Sequence, residues 1–192
     1  MKKTYMHSLI YILLFLASVA CGQTKKSLEN SNNIETKIDT PKATYNEYYY
    51  YNLGEKTSDL GAYRKAITYF NKAIEINPDY LIAYLERAHC YEEMYYFDKA
   101  IKDVEFVLGK DKANPLAYNA LGNIYFGKAD PLKAIECYSK AIKISPSYTR
   151  AYYNRGYIYN EIGQKKDACA DWKKAASLGN KRSLEMLAKY CK

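Results

Sequence analysis

Apolar and small residues recur at helical spacing through most of the chain. Tyr118, Leu121, Gly122 and Tyr125 fall at i, i+3, i+4 and i+7, and Ala134, Tyr138 and Ala141 keep one face of the next segment apolar. The spacing predicts paired amphipathic helices. The punctuation agrees. Gly61 and Gly163 are placed to stop first helices as left-handed caps. Pro78 and Pro146 end second helices, and Asp130 with Pro131 supplies an N-cap and a first helical residue. Lys112 stands where a third such proline is expected, with Gly109 and Pro115 around it, so that connection is expected to be irregular.

The helical pattern repeats. "AITYFNKAIEINP" (66–78), "AIKDVEFVLGKDK" (100–112), "AIECYSKAIKISP" (134–146) and "ACADWKKAASLGN" (168–180) begin at one constant interval. Upstream of them lie "YYNLGEKT" (50–57), "YLERAHCY" (84–91), "YNALGNIY" (118–125) and "YYNRGYIY" (152–159), at the same interval. Period and residue types resemble the tetratricopeptide repeat. The last unit, through "DWKKAASLGN", also resembles the Sel1-like repeat. The resemblance implies an all-α, right-handed superhelical solenoid of four helix–turn–helix repeats, 47–80, 81–114, 115–148 and 149–182, with a capping helix at 183–192. That last helix is expected to bury Leu184, Leu187 and Ala188, because a solenoid end otherwise leaves one face bare. Gly54, Ala88, Gly122 and Gly156 are the small positions that let the paired helix approach.

In such repeats the first helices line a concave groove, which gives the tyrosine-rich stretch "TYNEYYYYNLGEK" (44–56) a register. Tyr50 and Leu53 are expected to be buried against the paired helix. The groove would collect Tyr48, Tyr51, Leu85, His89, Asn119, Asn123, Phe126, Arg150, Tyr153 and Tyr157, with Glu55, Ile82, Glu92, Leu116 and Asn160 beside them. Exposed aromatics next to Asn and Arg suit a protein or peptide ligand. Some members of the family hold acidic peptide tails in a clamp of Lys, Arg and two Asn. Asn123 and Asn154 fall at the asparagine positions, but Asn119, Leu184 and Ala188 replace the cations. No such clamp is expected.

The N-terminus follows a different pattern. Lys2 and Lys3 precede an apolar run from Leu9 to Ala20, about 18 Å as a helix and too short for a hydrocarbon core of about 30 Å. Residues 1–20 therefore read as a secretory signal peptide. "LASVAC" resembles the lipobox of bacterial lipoproteins, implying a lipid-modified Cys21 in an exported, periplasm-facing protein of the outer membrane. Ser18 stands where that motif usually has Leu, so ordinary cleavage after Ala20 remains an alternative. Residues 21–46 are polar and mixed in charge, as in a flexible tether.

Composition adds little chemistry. Tyrosine, at 23 residues against five Phe and one Trp, supplies most of the packing aromatics. The net charge of +8 favours anionic surfaces without pointing to nucleic acid, and export argues against it. Cys169 and Cys191 lie at equal distances either side of Asn180, at the turn of an antiparallel helix pair, and are expected to stand level as a disulfide. Cys90 and Cys137 read as unpaired packing residues. Outside the signal peptide His89 is the single histidine, with Cys90 about 100° round the helix from it. His89, Glu92 and Glu93 are too few for a metal, and no glycine-rich phosphate loop is present. No catalytic residue, cofactor or metal is expected. The sequence points to a non-catalytic, envelope-anchored scaffold binding a protein or peptide partner. The alternative is a structural subunit of a larger envelope assembly that uses its convex face.

Overall fold

The computed structural model describes residues 45–191. The segment expected to be a signal peptide, Cys21 and nearly all of the expected tether lie outside them. Among the described residues there are nine α-helices and no strand: α1 (Glu47–Asp59), α2 (Tyr63–Ile76), α3 (Leu81–Glu93), α4 (Phe97–Lys110), α5 (Pro115–Gly127), α6 (Pro131–Ile144), α7 (Thr149–Glu161), α8 (Lys165–Ser177) and α9 (Lys181–Tyr190). None of them is long and apolar enough to cross a membrane.

The helices pack as four successive pairs, α1/α2 to α7/α8, with α9 laid against α8. Each first helix also touches the first helix of the next pair: α1 meets α3, α3 meets α5, and α5 meets α7. Second helices make no comparable contact with one another. First helices therefore stand closer together than second helices, and the solenoid curves with α1, α3, α5 and α7 on its inner side.

Within each pair, side-chain sizes are matched between one position of the first helix and one of the second. A Cβ at Gly54 would lie 2.7 Å from Phe70 Cδ1, one at Gly122 2.7 Å from Tyr138 Cδ1, and one at Gly156 2.8 Å from Trp172 Nε1. The glycines are required because the facing ring occupies that space. In the second pair the same two positions hold Ala88 and the smaller Val104, both fully buried. Phe70, Tyr138 and Trp172 are among the largest fully buried side chains, so these ring-and-glycine contacts centre the packing of the first, third and fourth pairs.

Turns repeat as closely as the packing. Gly61, Tyr95, Ala129 and Gly163, one repeat apart from each other, all follow first helices with positive φ, at 72°, 61°, 59° and 82°. The left-handed cap expected at two glycines is thus used in all four pairs, twice by residues that carry a Cβ. Side-chain caps are added at Asn46, Asn114, Asp130 and Asn180, whose oxygens accept from the backbone N–H of Tyr49, Ala117, Lys133 and Ser183.

Three expectations are corrected. The α4–α5 connection is regular: Asp111, at φ −134° and ψ 92°, has the same backbone conformation as Asn77 and Ser145. Asp111 Oδ1 accepts from Ala113 N–H at 3.1 Å, as Asn77 Oδ1 accepts from Asp79 N–H. The Asx turn supports the bend at Asn77 and Asp111, while Ser145 adopts the same backbone before Pro146, so the bend does not require a proline. Second, α9 buries Ser183 and half-buries Met186, Leu187 and Tyr190, while Leu184 is 59% exposed and Ala188 is exposed. Third, Tyr50 and Leu53 are half-buried, because among the described residues no helix covers the outer side of α1.

Cys169 and Cys191 form a disulfide with their Cα atoms 5.8 Å apart, joining α8 to the end of α9. Cys90 and Cys137 are free and buried. Burial pushes the Cys137 thiol up to about 11, so it stays protonated at neutral pH.

Candidate functional site: the inner groove

The inner faces of α3, α5 and α7 enclose two clefts. The first, of 290 Å³, is lined by Asn123 and Phe126 of α5, by Tyr153, Asn154 and Tyr157 of α7, and by Glu92. Phe126 and Tyr157 are 41% and 37% exposed and meet edge to face, their ring centroids 5.9 Å apart. An asparagine network forms the polar wall. Asn154 Nδ2 donates to the Oδ1 atoms of both Asn119 and Asn123 at 3.2 Å, and the Tyr138 hydroxyl donates to Asn123 Oδ1 at 2.7 Å. Asn123 Oδ1 is thereby saturated. Its amide N–H groups have no acceptor among the described residues and remain available to a ligand carbonyl.

The second cleft, of 230 Å³, lies between α3 and α5 and includes Ile82, Leu85, Glu86, His89, Asn119 and Arg150. It opens toward a polar hollow where Glu55, Asp59 and Glu86 converge with His89 and Arg150. Burial pushes the Glu86 carboxyl above the usual carboxylate range, and neighbouring Glu55 and Asp59 add to this against the opposing His89 and Arg150. The neighbouring Glu92 carboxylate raises His89 in turn.

Of the ten groove residues expected from sequence, Asn123, Phe126, Tyr153 and Tyr157 come together in the first cleft, and Leu85, His89, Asn119 and Arg150 in the second. Leu85 and Asn119 are only 7% and 8% exposed, so they form the floor rather than a contact surface. Tyr48 and Tyr51 line neither cleft. Tyr51 is half-buried at the first interface between pairs, edge-on to Tyr80 at 5.5 Å and tilted against Phe70, and Tyr48 is 60% exposed near it. The sequence reading missed Glu86 and the hydroxyl of Tyr138 as groove groups. Glu86 was findable, since it stands two periods before Asn154 in the same register. Tyr138 was assigned to the core, which holds its ring, while its hydroxyl reaches through to Asn123.

Three family models, described as TPR repeat or tetratricopeptide repeat, match residues 133–163, 48–80 and 149–179. These are tetratricopeptide repeats. The fold is shared with a thermophilic TPR protein of Thermus thermophilus, at a TM-score of 0.64 and 23% identity over 70% of this chain and 75% of that one. In sequence the chain is similar to BBSome complex member BBS4 of Bos taurus, 34% identical over 105 residues, covering 54% of this chain and 20% of that protein. It is also similar to Hsp70-Hsp90 organizing protein 3 of Arabidopsis thaliana, 25% identical over 130 residues, 64% of this chain and 22% of that protein. The chain spans 20% to 30% of the length of the first three curated relatives it matches.

Proposed function

We propose that this is a non-catalytic scaffold that binds a protein or peptide segment in its inner groove while held in the bacterial cell envelope. The observation that carries the reading is the cleft between α5 and α7, where an exposed Phe126–Tyr157 pair sits beside amide donors on Asn123. Aromatic side chains supply contact area at low entropic cost, and an amide fixes the register of a peptide backbone. The asparagines that a carboxylate clamp would aim at a ligand terminus are bonded to each other here, so an internal segment suits the groove better than an acidic tail. Two relatives are named as a complex member and as an organizing protein, which fits binding rather than chemistry. Export by residues 1–20, lipid on Cys21 and the following tether would place the groove near the outer membrane on its periplasmic side.

A second reading, that of a subunit packed through its outer side in a larger envelope assembly, draws on Leu132, at the start of α6, and Tyr95, in the α3–α4 turn, which are 74% and 78% exposed and line neither cleft. Crosslinking in source cells, with the wild type beside Tyr153→Ala/Tyr157→Ala, separates the two. Loss of the recovered partner in the folded double variant supports the groove. An unchanged partner removes the groove reading in favour of the outer face.

A further inference from the structure

The last pair and its cap carry charge that the groove does not use. Seven exposed Lys and Arg residues lie between Lys165 and Lys189. The three acids of that span are Asp167, Asp171 and Glu185, and Asp171 is buried and held by Arg155. Among the described residues none of the seven cations takes part in an ion pair.

The disulfide brings two rows of this region side by side. On α8, Lys165, Cys169 and Lys173 are successive residues of an i, i+4, i+8 row, with Lys166 next to it. On α9, Lys181, Leu184, Ala188 and Cys191 share a face at i, i+3, i+7 and i+10. Because Cys169 is bonded to Cys191, the basic row of α8 borders the row containing Leu184 and Ala188. Both of those apolar residues are exposed, Leu184 by 59%. Asp167 lies on the opposite side of α8, and Glu185 about 100° round α9 from Leu184.

We infer that this face is a docking surface for an anionic phospholipid bilayer, with the lysines at the headgroups and Leu184 at their hydrocarbon boundary. Cations bordering an exposed aliphatic row match such an interface. A nucleic acid would call for stacking aromatics among the cations. Here the nearest rings are turned inward: Trp172 is fully buried and Tyr190, 5.8 Å away between centroids, is half-buried against it. None of these residues lines the groove, and neither surface depends on the other.

Cosedimentation of the full chain tests this with vesicles of phosphatidylcholine alone and of phosphatidylcholine mixed with phosphatidylglycerol. The ratio of binding to the two vesicle types cancels any contribution of the N-terminal anchor. Each cation at the surface is worth roughly five-fold in partition, so Lys165→Gln/Lys166→Gln/Lys173→Gln should lower that ratio by about 100-fold. Leu184→Ser should weaken binding to the mixed vesicles several-fold, and raised salt should abolish the preference. The substituted side chains are exposed, and circular dichroism confirms the fold of each variant. Equal binding of the wild type to both vesicle types overturns the inference. So does salt-sensitive capture by polyphosphate or DNA without any preference for the anionic vesicles.

Discussion

Arg155 grips Asp171 through two parallel hydrogen bonds, Nε to Oδ2 and Nη2 to Oδ1, each 2.8 Å long. Two periods earlier Arg87 holds Asp103 in the same way at 2.7 and 2.6 Å. In both cases the remaining Nη1 reaches back to the preceding second helix, to Ser139 and to Asn71. Each arginine thus ties together three helices of consecutive pairs. The other two pairs hold Leu53 with Tyr69 and Leu121 with Cys137 at these positions, so neither carries the ion pair.

Removing one partner leaves a buried charge. Asp171 is 6% exposed, and Arg155→Leu should cost about 3 kcal/mol in urea unfolding. Arg155→Leu with Asp171→Cys, which copies the Leu121/Cys137 pair, should recover most of that loss. A double variant no better than the single one would contradict the account.

Backbone strain is stored at Tyr95 and Ala129. Both occupy the left-handed region that Gly61 and Gly163 occupy in the other pairs. Ala129→Gly should raise stability by about 1 kcal/mol, and Gly163→Ala should lower it by a similar amount. Tyr95→Gly should gain less, since it also gives up the ring's edge contact with Phe97. Thermal unfolding of the three variants reads the order directly.

The disulfide closes a loop around the α8–α9 turn, its cysteines 22 residues apart in sequence. Chain-entropy reasoning gives about 3 kcal/mol for its removal. Cys169→Ala/Cys191→Ala should therefore lower stability by that order and raise hydrogen exchange in α9 before α3 to α6. Reductant should destabilise the wild type and leave the double variant unchanged.

His89 Nδ1 lies 3.7 Å from Glu92 Oε2, and this partner lifts the imidazole above its usual value of 6.5 against the opposing effect of burial. Because the folded value is the higher one, the contribution to stability is fully present below the unfolded value and fades as pH rises through the folded one. An NMR titration should place His89 above 6.5, and Glu92→Gln should move it down. A titration unchanged by Glu92→Gln would show that the contact does not form in solution.

Fold was legible because a constant repeat period fixes which residues share a face, and Gly54, Gly122 and Gly156 announced where rings would press. The groove was legible only in part. Periodicity assigns a direction to a side chain but not its depth, so Leu85 and Asn119 were placed correctly in direction and prove to be floor. Tyr80, from the turn before α3, packs edge-on against Tyr51, and that cover was not legible because turns carry no helical period. The α4–α5 bend was misread through its missing proline, although Asp111 stands one period after Asn77 and makes the same turn. The capping helix was misread because the tail alone does not say which of its two apolar flanks meets α8; Ser183 and Tyr190 do.

The most direct test of the groove is site-specific photo-crosslinking in source cells, with the reactive group placed at Tyr157 in the cleft or at Lys143 on the outer side of α6. Both positions are exposed, so either substitution should leave the fold intact. The account predicts a discrete crosslinked partner from Tyr157 that fades when Tyr153→Ala is added, and none from Lys143. Crosslinks from Lys143 alone would contradict it.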